Sequence, residues 1–178
     1  MEDDPAELLV VVDAADRVLE YRRRAEVHAD RSLLHRSLCV VVDTLGGTLW
    51  QRRGFAKDTD PGSWDPACTG HVGARDPDVE TAVQRELHEE LGIAGNPVLV
   101  GRLIVELPEE RELVAVYRLW HPGPFVVAPP EVAGLVVYPP GTRPESLSPW
   151  SLKVLEWLDA QPDTAPAKRG GGGLDGPS

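Results

Sequence analysis

Three glutamates close together are the first residues in the sequence that could do chemistry. Glu89 and Glu90 follow Glu86 by three and four positions, so on a helix the three carboxylates share one face. Like charges held together repel, and the neighbouring Arg85 can offset only one of them. Carboxylate oxygens suit Mg²⁺, above all when substrate phosphates complete its shell. The spacing therefore indicates a divalent-metal site, although a solvated acidic face would show the same pattern.

The segment that carries these acids is the clearest helix in the sequence, over residues 77–91. We place Asp76 at the N-cap and Pro77 at the first helical position, and Gly92 stands where a glycine would end the helix. Apolar residues recur every four positions and predict its buried stripe, namely Val79, Val83, Leu87 and Leu91.

Three cations follow one another where a predicted strand enters a loop. Arg52, Arg53 and Lys57 lie in an otherwise acidic protein. Arginine can bind phosphate through two parallel hydrogen bonds, and lysine acts as a point charge. We interpret the three residues as a phosphate clamp that binds substrate, with an ordinary solvated basic turn as the alternative.

The composition fits one compact domain and narrows its partners. Of the 178 residues, 42% are apolar and 26% charged, which is enough for one sizeable core. The net charge of −11 repels phosphate backbones at long range, so we expect no nucleic-acid polymer as a partner. The longest apolar runs, 8–12 and 38–42, are shorter than the roughly 18 residues that cross a bilayer, so no membrane span is expected.

The first residues and the cysteines indicate the compartment. The chain starts with MEDDPAE, which is acidic where a secretory signal would be basic and then apolar, so we predict a cytoplasmic location. Cys39 and Cys68 show no pairing motif, and we expect both to be free thiols in the core.

Strands surround the acidic helix along the chain. Composition and turn signals place them at residues 7–13, 18–21, 37–44, 48–53, 97–106, 112–120 and 135–138. Residues 54–66 read as an ordered loop, and 67–72 as a short β-rich run. This mixture predicts an α+β fold.

A second helix closes the predicted domain. Ser148 caps it, Pro149 takes its first position and it ends near Ala160. Its predicted apolar face consists of Leu152, Leu155 and Leu158. Apolar content then collapses, so we predict a domain over residues 1–160 and a disordered tail over 161–178.

The stretch 85–93 resembles the second half of the Nudix box. That half reads REUxEExGU, with U an aliphatic residue, and RELHEELGI satisfies every specified position. The resemblance implies a Nudix fold, a mixed β-sheet between helices, in which Glu86, Glu89 and Glu90 bind Mg²⁺ or Mn²⁺. It also implies hydrolysis of a diphosphate with Glu86 and Glu89 as catalytic acids; whether the base is one of these or an acid from another strand stays open.

The first half of the box departs from the family pattern. Gly70 is followed after five residues by Asp76 instead of glutamate, and eight residues instead of seven then precede Arg85. We interpret the difference as a loop that is longer by one residue, with a conservative change of acid. The geometry of this loop and the role of Asp76 stay open.

Other segments resemble a narrower branch, the type I isopentenyl-diphosphate isomerases and the hydrolases related to them. RRxxxK followed by PGxW looks like their diphosphate-binding segment, which implies that Arg53 and Lys57 bind the diphosphate. Ser148-Pro149-Trp150 is similar to their Ser-Pro-Trp. Five residues resemble their metal ligands and imply a second site for Mn²⁺ or Zn²⁺, namely His28, His35, His71, Glu110 and Glu112. Structural histidines and a solvated hairpin rim are the alternatives.

Two features favour hydrolysis over isomerisation. The isomerases carry a catalytic cysteine directly before Gly-His, whereas Thr69 stands there and Cys68 lies one place earlier, on the opposite face of a strand. Their Nudix box is also degenerate, whereas this one is complete. We therefore predict a metal-dependent Nudix hydrolase acting on a nucleotide-like or other small diphosphate. The alternatives are an isopentenyl-diphosphate isomerase-like enzyme and a non-catalytic diphosphate-binding module, and a homodimer stays open.

Overall fold

A computed structural model of the chain describes residues 6–57, 59–127 and 131–162. Within these ranges the strands are β1 Leu8–Val12, β2 Val18–Arg23, β3 Leu34–Thr44, β4 Gly47–Arg53, β5 Trp64–Pro66, β6 Cys68–His71, β7 Val98–Glu106, β8 Arg111–Trp120 and β9 Val132–Tyr138. The helices are α1 Arg24–Ala29, α2 Val79–Leu91 and α3 Pro149–Asp159. Most of the predicted tail, residues 163–178, lies outside the described residues. None of the described helices has the length and apolar character of a membrane span.

Strand β3 organises one mixed sheet. It pairs antiparallel with β1, β4 and β6 and parallel with β8, while β7 pairs with β8 and β9 with β4. The parallel pairing runs from Leu34 opposite Arg111 to Asp43 opposite Trp120. This long-range partner extends β3 beyond the predicted start at Ser37, because residues with weak local strand signals join the ladder when a neighbouring strand is present.

The two longer helices pack on opposite faces of this sheet. Leu38, Val40 and Val42 of β3 join the larger core with the apolar stripe of α2. Cys39 and Val41 point to the other face and pack with α3. This alternation is the period-two geometry of a strand that is buried on both sides. The predicted α+β fold is confirmed, and both cysteines are buried free thiols.

Helix ends and one helix face differ from the sequence prediction. Helix α2 is capped by Asp78, whose side chain accepts the backbone N–H of Thr81, so the predicted N-cap at Asp76 was wrong. The C-terminal prediction is confirmed, since Gly92 ends α2 in the left-handed conformation with φ 64°. In α3, Leu152 is 52% exposed because Ser151 and Val154 face the sheet instead. Ser148 caps α3 as predicted.

Helix α1 was not predicted at all. It is six residues long and contains a single buried apolar residue, Val27, so it lacks the 3.6-residue apolar period that identifies a helix in sequence.

Candidate active site and metal centres

One cavity of about 530 Å³ gathers residues from α1, β4, β6, α2 and the β7–β8 turn. Ten carboxylates line it, Glu7, Asp60, Asp65, Asp76, Glu86, Glu89, Glu90, Glu110, Glu112 and Glu131, against five cations, Arg24, Arg53, Lys57, Arg75 and Arg85. Partly desolvated carboxylates without counter-charges are unfavourable. The lining therefore favours bound cations, and without them it would repel an anionic substrate.

The acids of α2 differ in their surroundings. Glu86 and Glu90 are buried, whereas the side chain of Glu89 is 45% exposed. One oxygen of Glu90, Oε2, accepts the backbone N–H of Thr69 and the side-chain amide of Gln51, both at 3.2 Å. Glu86 and Glu90 are thus enclosed by the fold, whereas Glu89 can reach solvent.

Arg85 links the acids of α2 to the preceding loop. Its Nη1 donates to Glu86 Oε1 at 2.8 Å and to Glu89 Oε2 at 3.2 Å. Its Nε and Nη2 donate to the two carboxylate oxygens of Asp76 at 3.2 and 3.0 Å, and Nη2 also reaches the carbonyl of His71. Asp76, whose role the sequence left open, therefore holds Arg85 in place and accepts the backbone N–H of Gly73.

Two of these carboxylates have a raised pKa. Burial raises the pKa of Glu86 to about 7, with Arg85 opposing the change and Glu89 and Glu131 adding to it. Burial also raises the pKa of Glu90, and Glu86 contributes. Both shifts favour the protonated, uncharged form of these carboxylates, and a nearby cation would oppose them.

Glycine at position 70 is required by this packing. A Cβ there would overlap the carboxylate of Glu86, so any other residue would displace the acid. The glycine of the Nudix-like motif is thus explained by the close approach of β6 to α2.

The structure separates the three predicted substrate-binding cations. Arg53 and Lys57 line the cavity, and Arg53 donates to Asp65 Oδ2 at 2.9 Å and to Thr59. Arg52 does not line it. Its Nε donates to the carbonyl of Gly62 at 3.0 Å, and its guanidinium lies 5.0 Å from the ring centre of Phe55.

The five residues proposed for a second metal site are brought together. The ring centres of His28, His35 and His71 lie 5.1 to 5.6 Å apart. Ligand atoms of these three histidines all lie within 4.8 Å of one another, and so do those of His35, Glu110 and Glu112. Below, these five residues are called the His–Glu cluster.

The environment of the His–Glu cluster favours uncharged side chains. Burial lowers the pKa of His35 to about 4 and that of His71 well below its usual value. Burial raises the pKa of Glu110 to about 7 and also that of Glu112. Neutral imidazole is the form that binds metals.

The donors of the cluster also suit a metal ion geometrically. Both ring nitrogens of His35 are buried and, within the described chain, make no hydrogen bond of normal geometry, although backbone groups of Leu33 and Arg111 approach the ring. The indole N–H of Trp150 donates to Glu112 Oε2 at 2.9 Å, which orients that carboxylate as metal-site acids commonly are.

Several residues of the site were missed by the sequence analysis. Gln51 and Arg53 are two positions apart on β4 and therefore point to the same face of the strand, so the period of the strand could have placed Gln51 in the site. Asp65 is buried and accepts hydrogen bonds from Ser148, Ser151 and Arg53. Glu131 and Arg24 line the cavity too. No local pattern in the sequence marks Asp65, Glu131 or Arg24 as residues of the site.

The residues before His71 are placed as the strand geometry predicts. Thr69 lines the cavity, whereas Cys68 is fully buried in the core beneath α2. The position that carries a cysteine in the isomerases therefore presents a hydroxyl here.

Comparisons with known proteins show which family this chain resembles in sequence and fold. The family model described as NUDIX domain matches residues 33–158. An uncharacterized Nudix hydrolase of Yersinia pestis is 35% identical over 89% of this chain and 91% of its own length. An isopentenyl-diphosphate Delta-isomerase of Nocardia farcinica is 33% identical over 88% of this chain and 95% of its own. The crystal structure of DR0079 from Deinococcus radiodurans has a similar fold, with a TM-score of 0.63 at 20% identity, covering 87% of this chain and 91% of that one.

Proposed function

The chain belongs to the Nudix family, and its hydrolase relatives indicate a pyrophosphohydrolase; we propose that it uses divalent metal ions to cleave the diphosphate linkage of a nucleotide-like or other small metabolite. The observation that carries the proposal is that Glu86, Glu89 and Glu90 line the same cavity as Arg53 and Lys57.

The acids of α2 suit Mg²⁺ or Mn²⁺. They are carboxylates, two of them buried, and burial raises the pKa of Glu86 and Glu90, so a bound cation would stabilise their charged forms. A metal ion bound there would neutralise the diphosphate and make water more acidic. Glu86, Glu89 and Glu90 are the residues we assign to hold it.

The other residues have separable tasks in this proposal. Arg53 and Lys57 bind phosphate oxygens, with Asp65 fixing the direction of the Arg53 guanidinium. Glu89, the most exposed of the three acids, accepts the proton of the attacking water, and Glu86 supports it as the second catalytic acid. The protein thus positions charges and leaves little covalent work to its side chains.

A second metal site at the His–Glu cluster is part of the proposal. Imidazole and carboxylate donors together suit Mn²⁺ or Zn²⁺, and their atoms converge. Four of the five residues that would hold such an ion, all except His35, line the same cavity as the acids of α2.

An isomerase-like activity is the second candidate. The assembled His–Glu cluster and the isomerase relatives favour it. Thr69 at the position of the catalytic cysteine disfavours it, because a hydroxyl is a much weaker acid than a thiol and does not readily form the anion that would take a proton from carbon.

Product analysis separates the candidates. The full chain is incubated with Mg²⁺ or Mn²⁺ and nucleoside di- and triphosphates, dinucleotides or prenyl diphosphates. We expect release of phosphate, pyrophosphate or a nucleoside monophosphate, and its loss with EDTA. Double-bond migration without hydrolysis would support the isomerase, and binding without turnover would support the binding module instead.

A further inference from the structure

Arg24, the first residue of α1, lies against the His–Glu cluster. Its side chain is 15% exposed and lines the cavity. Its Nη1 lies 3.2 Å from Nδ1 of His71 and 3.9 Å from a carboxylate oxygen of Glu7. A permanent cation therefore contacts a residue that we assign to a metal site.

Contacts fix the position of the Arg24 charge beside the cluster. Arg24 lines the same cavity as His28, His71, Glu110 and Glu112, and its guanidinium contacts His71 directly. A fixed positive charge next to these donors opposes the binding of a divalent ion to them.

The hydrogen bond from Arg24 also uses the lone pair on Nδ1 of His71. A guanidinium can only donate, so Nδ1 of His71 must accept. A neutral imidazole has one accepting and one donating nitrogen, so Nε2 then carries the proton. In this arrangement neither nitrogen of His71 offers a lone pair to a metal ion.

We propose that Arg24 is the resident cation of the His–Glu cluster and that a divalent ion binds there only by displacing it from His71. The proposal rests on the second site of the proposed function and adds a residue that sets its metal affinity. The metal site formed by the acids of α2 involves Arg85 instead, so its Mg²⁺ affinity does not depend on Arg24.

Substitution of Arg24 by methionine tests the competition without substrate. Methionine has a similar length and no donor. We expect Arg24→Met to bind Mn²⁺ or Zn²⁺ at the cluster at least tenfold more tightly than the wild type, measured by calorimetry and by Mn²⁺ electron paramagnetic resonance in the presence of saturating Mg²⁺. The gain should disappear in Arg24→Met/His35→Asn. Affinity equal to or weaker than that of the wild type would overturn the proposal.

A matched control and a second measurement guard against misfolding. Arg22→Met removes an arginine that pairs with Glu20 on the exposed side of β2, and we expect its metal affinity to equal that of the wild type. Nitrogen-15 NMR of metal-free wild-type protein should show His71 protonated at Nε2, and a proton at Nδ1 would refute the idea even if Arg24→Met did not fold. Wild-type hydrolysis in Mg²⁺ is measured separately, so failure of the proposed function is distinguishable from failure of the Arg24 competition.

Discussion

The acids of α2 and four of the five residues of the His–Glu cluster line one cavity, but the two groups are built in different ways. Glu86, Glu89 and Glu90 come from two turns of one helix. The five residues of the cluster come from α1, β3, β6, the β7–β8 turn and β8. Pairing registers bring the cluster together, because β3 sets His35 opposite Glu112 and Ser37 opposite His71. A helical site depends on local periodicity, whereas a dispersed site depends on the whole sheet.

The two regions also differ in how their arginines act. Arg85 donates to carboxylates, which keep lone pairs for a metal ion when one is bound. Arg24 donates to an imidazole nitrogen, which has a single lone pair. We therefore expect the acids of α2 to bind Mg²⁺ without displacing their arginine, and metal binding at the His–Glu cluster to depend on the concentration of the transition metal.

The largest expected effect separates the two regions by activity in Mg²⁺. Glu89→Gln should lower kcat by roughly a thousandfold, since the side chain keeps its volume and loses its charge. Glu112→Gln should lower it less than tenfold. Product release assays measure both, with circular dichroism to check the fold and Glu156→Gln on the exposed side of α3 as a control. Equal losses for the two variants would remove the distinction between the regions.

The phosphate-binding assignment gives the next effect. Arg53→Gln should raise KM by roughly 10- to 100-fold, because a charge-assisted hydrogen bond contributes about 1.5–3 kcal/mol. Arg52→Gln should change KM less than threefold, since Arg52 lies on Phe55 outside the cavity. Steady-state kinetics decide, and similar effects of the two substitutions would contradict the placement of Arg53.

Gln51 supplies a smaller effect on metal affinity. Gln51→Leu removes one of two hydrogen bonds to the buried Glu90 and should weaken Mg²⁺ binding about tenfold, with kcat recovering at high Mg²⁺. Gln84→Leu, an exposed change on the same helix as Glu90, is the control. A fall in kcat that persists at saturating Mg²⁺ would instead assign Gln51 a role in the reaction itself.

The smallest expected effect is a change in how the free energy of unfolding depends on pH, measured in EDTA. The folded protein holds the Glu86 proton up to a pKa of about 7, above the ordinary value of 4.5, so it binds more protons than the unfolded chain between these values. Stability should therefore fall as pH rises from about 5 to 7. Glu86→Gln should reduce that fall by on the order of 1 kcal/mol, as should added Mg²⁺. Urea unfolding at pH 5 and pH 7.5 measures it, and an unchanged fall would argue against a protonated Glu86.

The sequence by itself determined the α+β class, the span of most strands and the acidic face of α2. These follow from short periods, three to four residues in a helix and two in a strand, which are visible in any local window. The C-terminal glycine of α2 and the Ser148 cap of α3 are equally local. The three acids of α2 could thus be predicted to share one face because their arrangement needs one helix only.

Only the tertiary structure decided where α2 starts and that Arg53, but not Arg52, lines the cavity. It also decided that Asp65, Glu131 and Arg24 belong to the site. Asp76 became a partner of Arg85 instead of a cap because the two meet across a loop. The family resemblance implied the ligands of the His–Glu cluster, but the contact of Arg24 with His71 depends on where the start of α1 lies relative to β6. Such contacts join residues far apart in the chain, and no local pattern encodes the register that unites them.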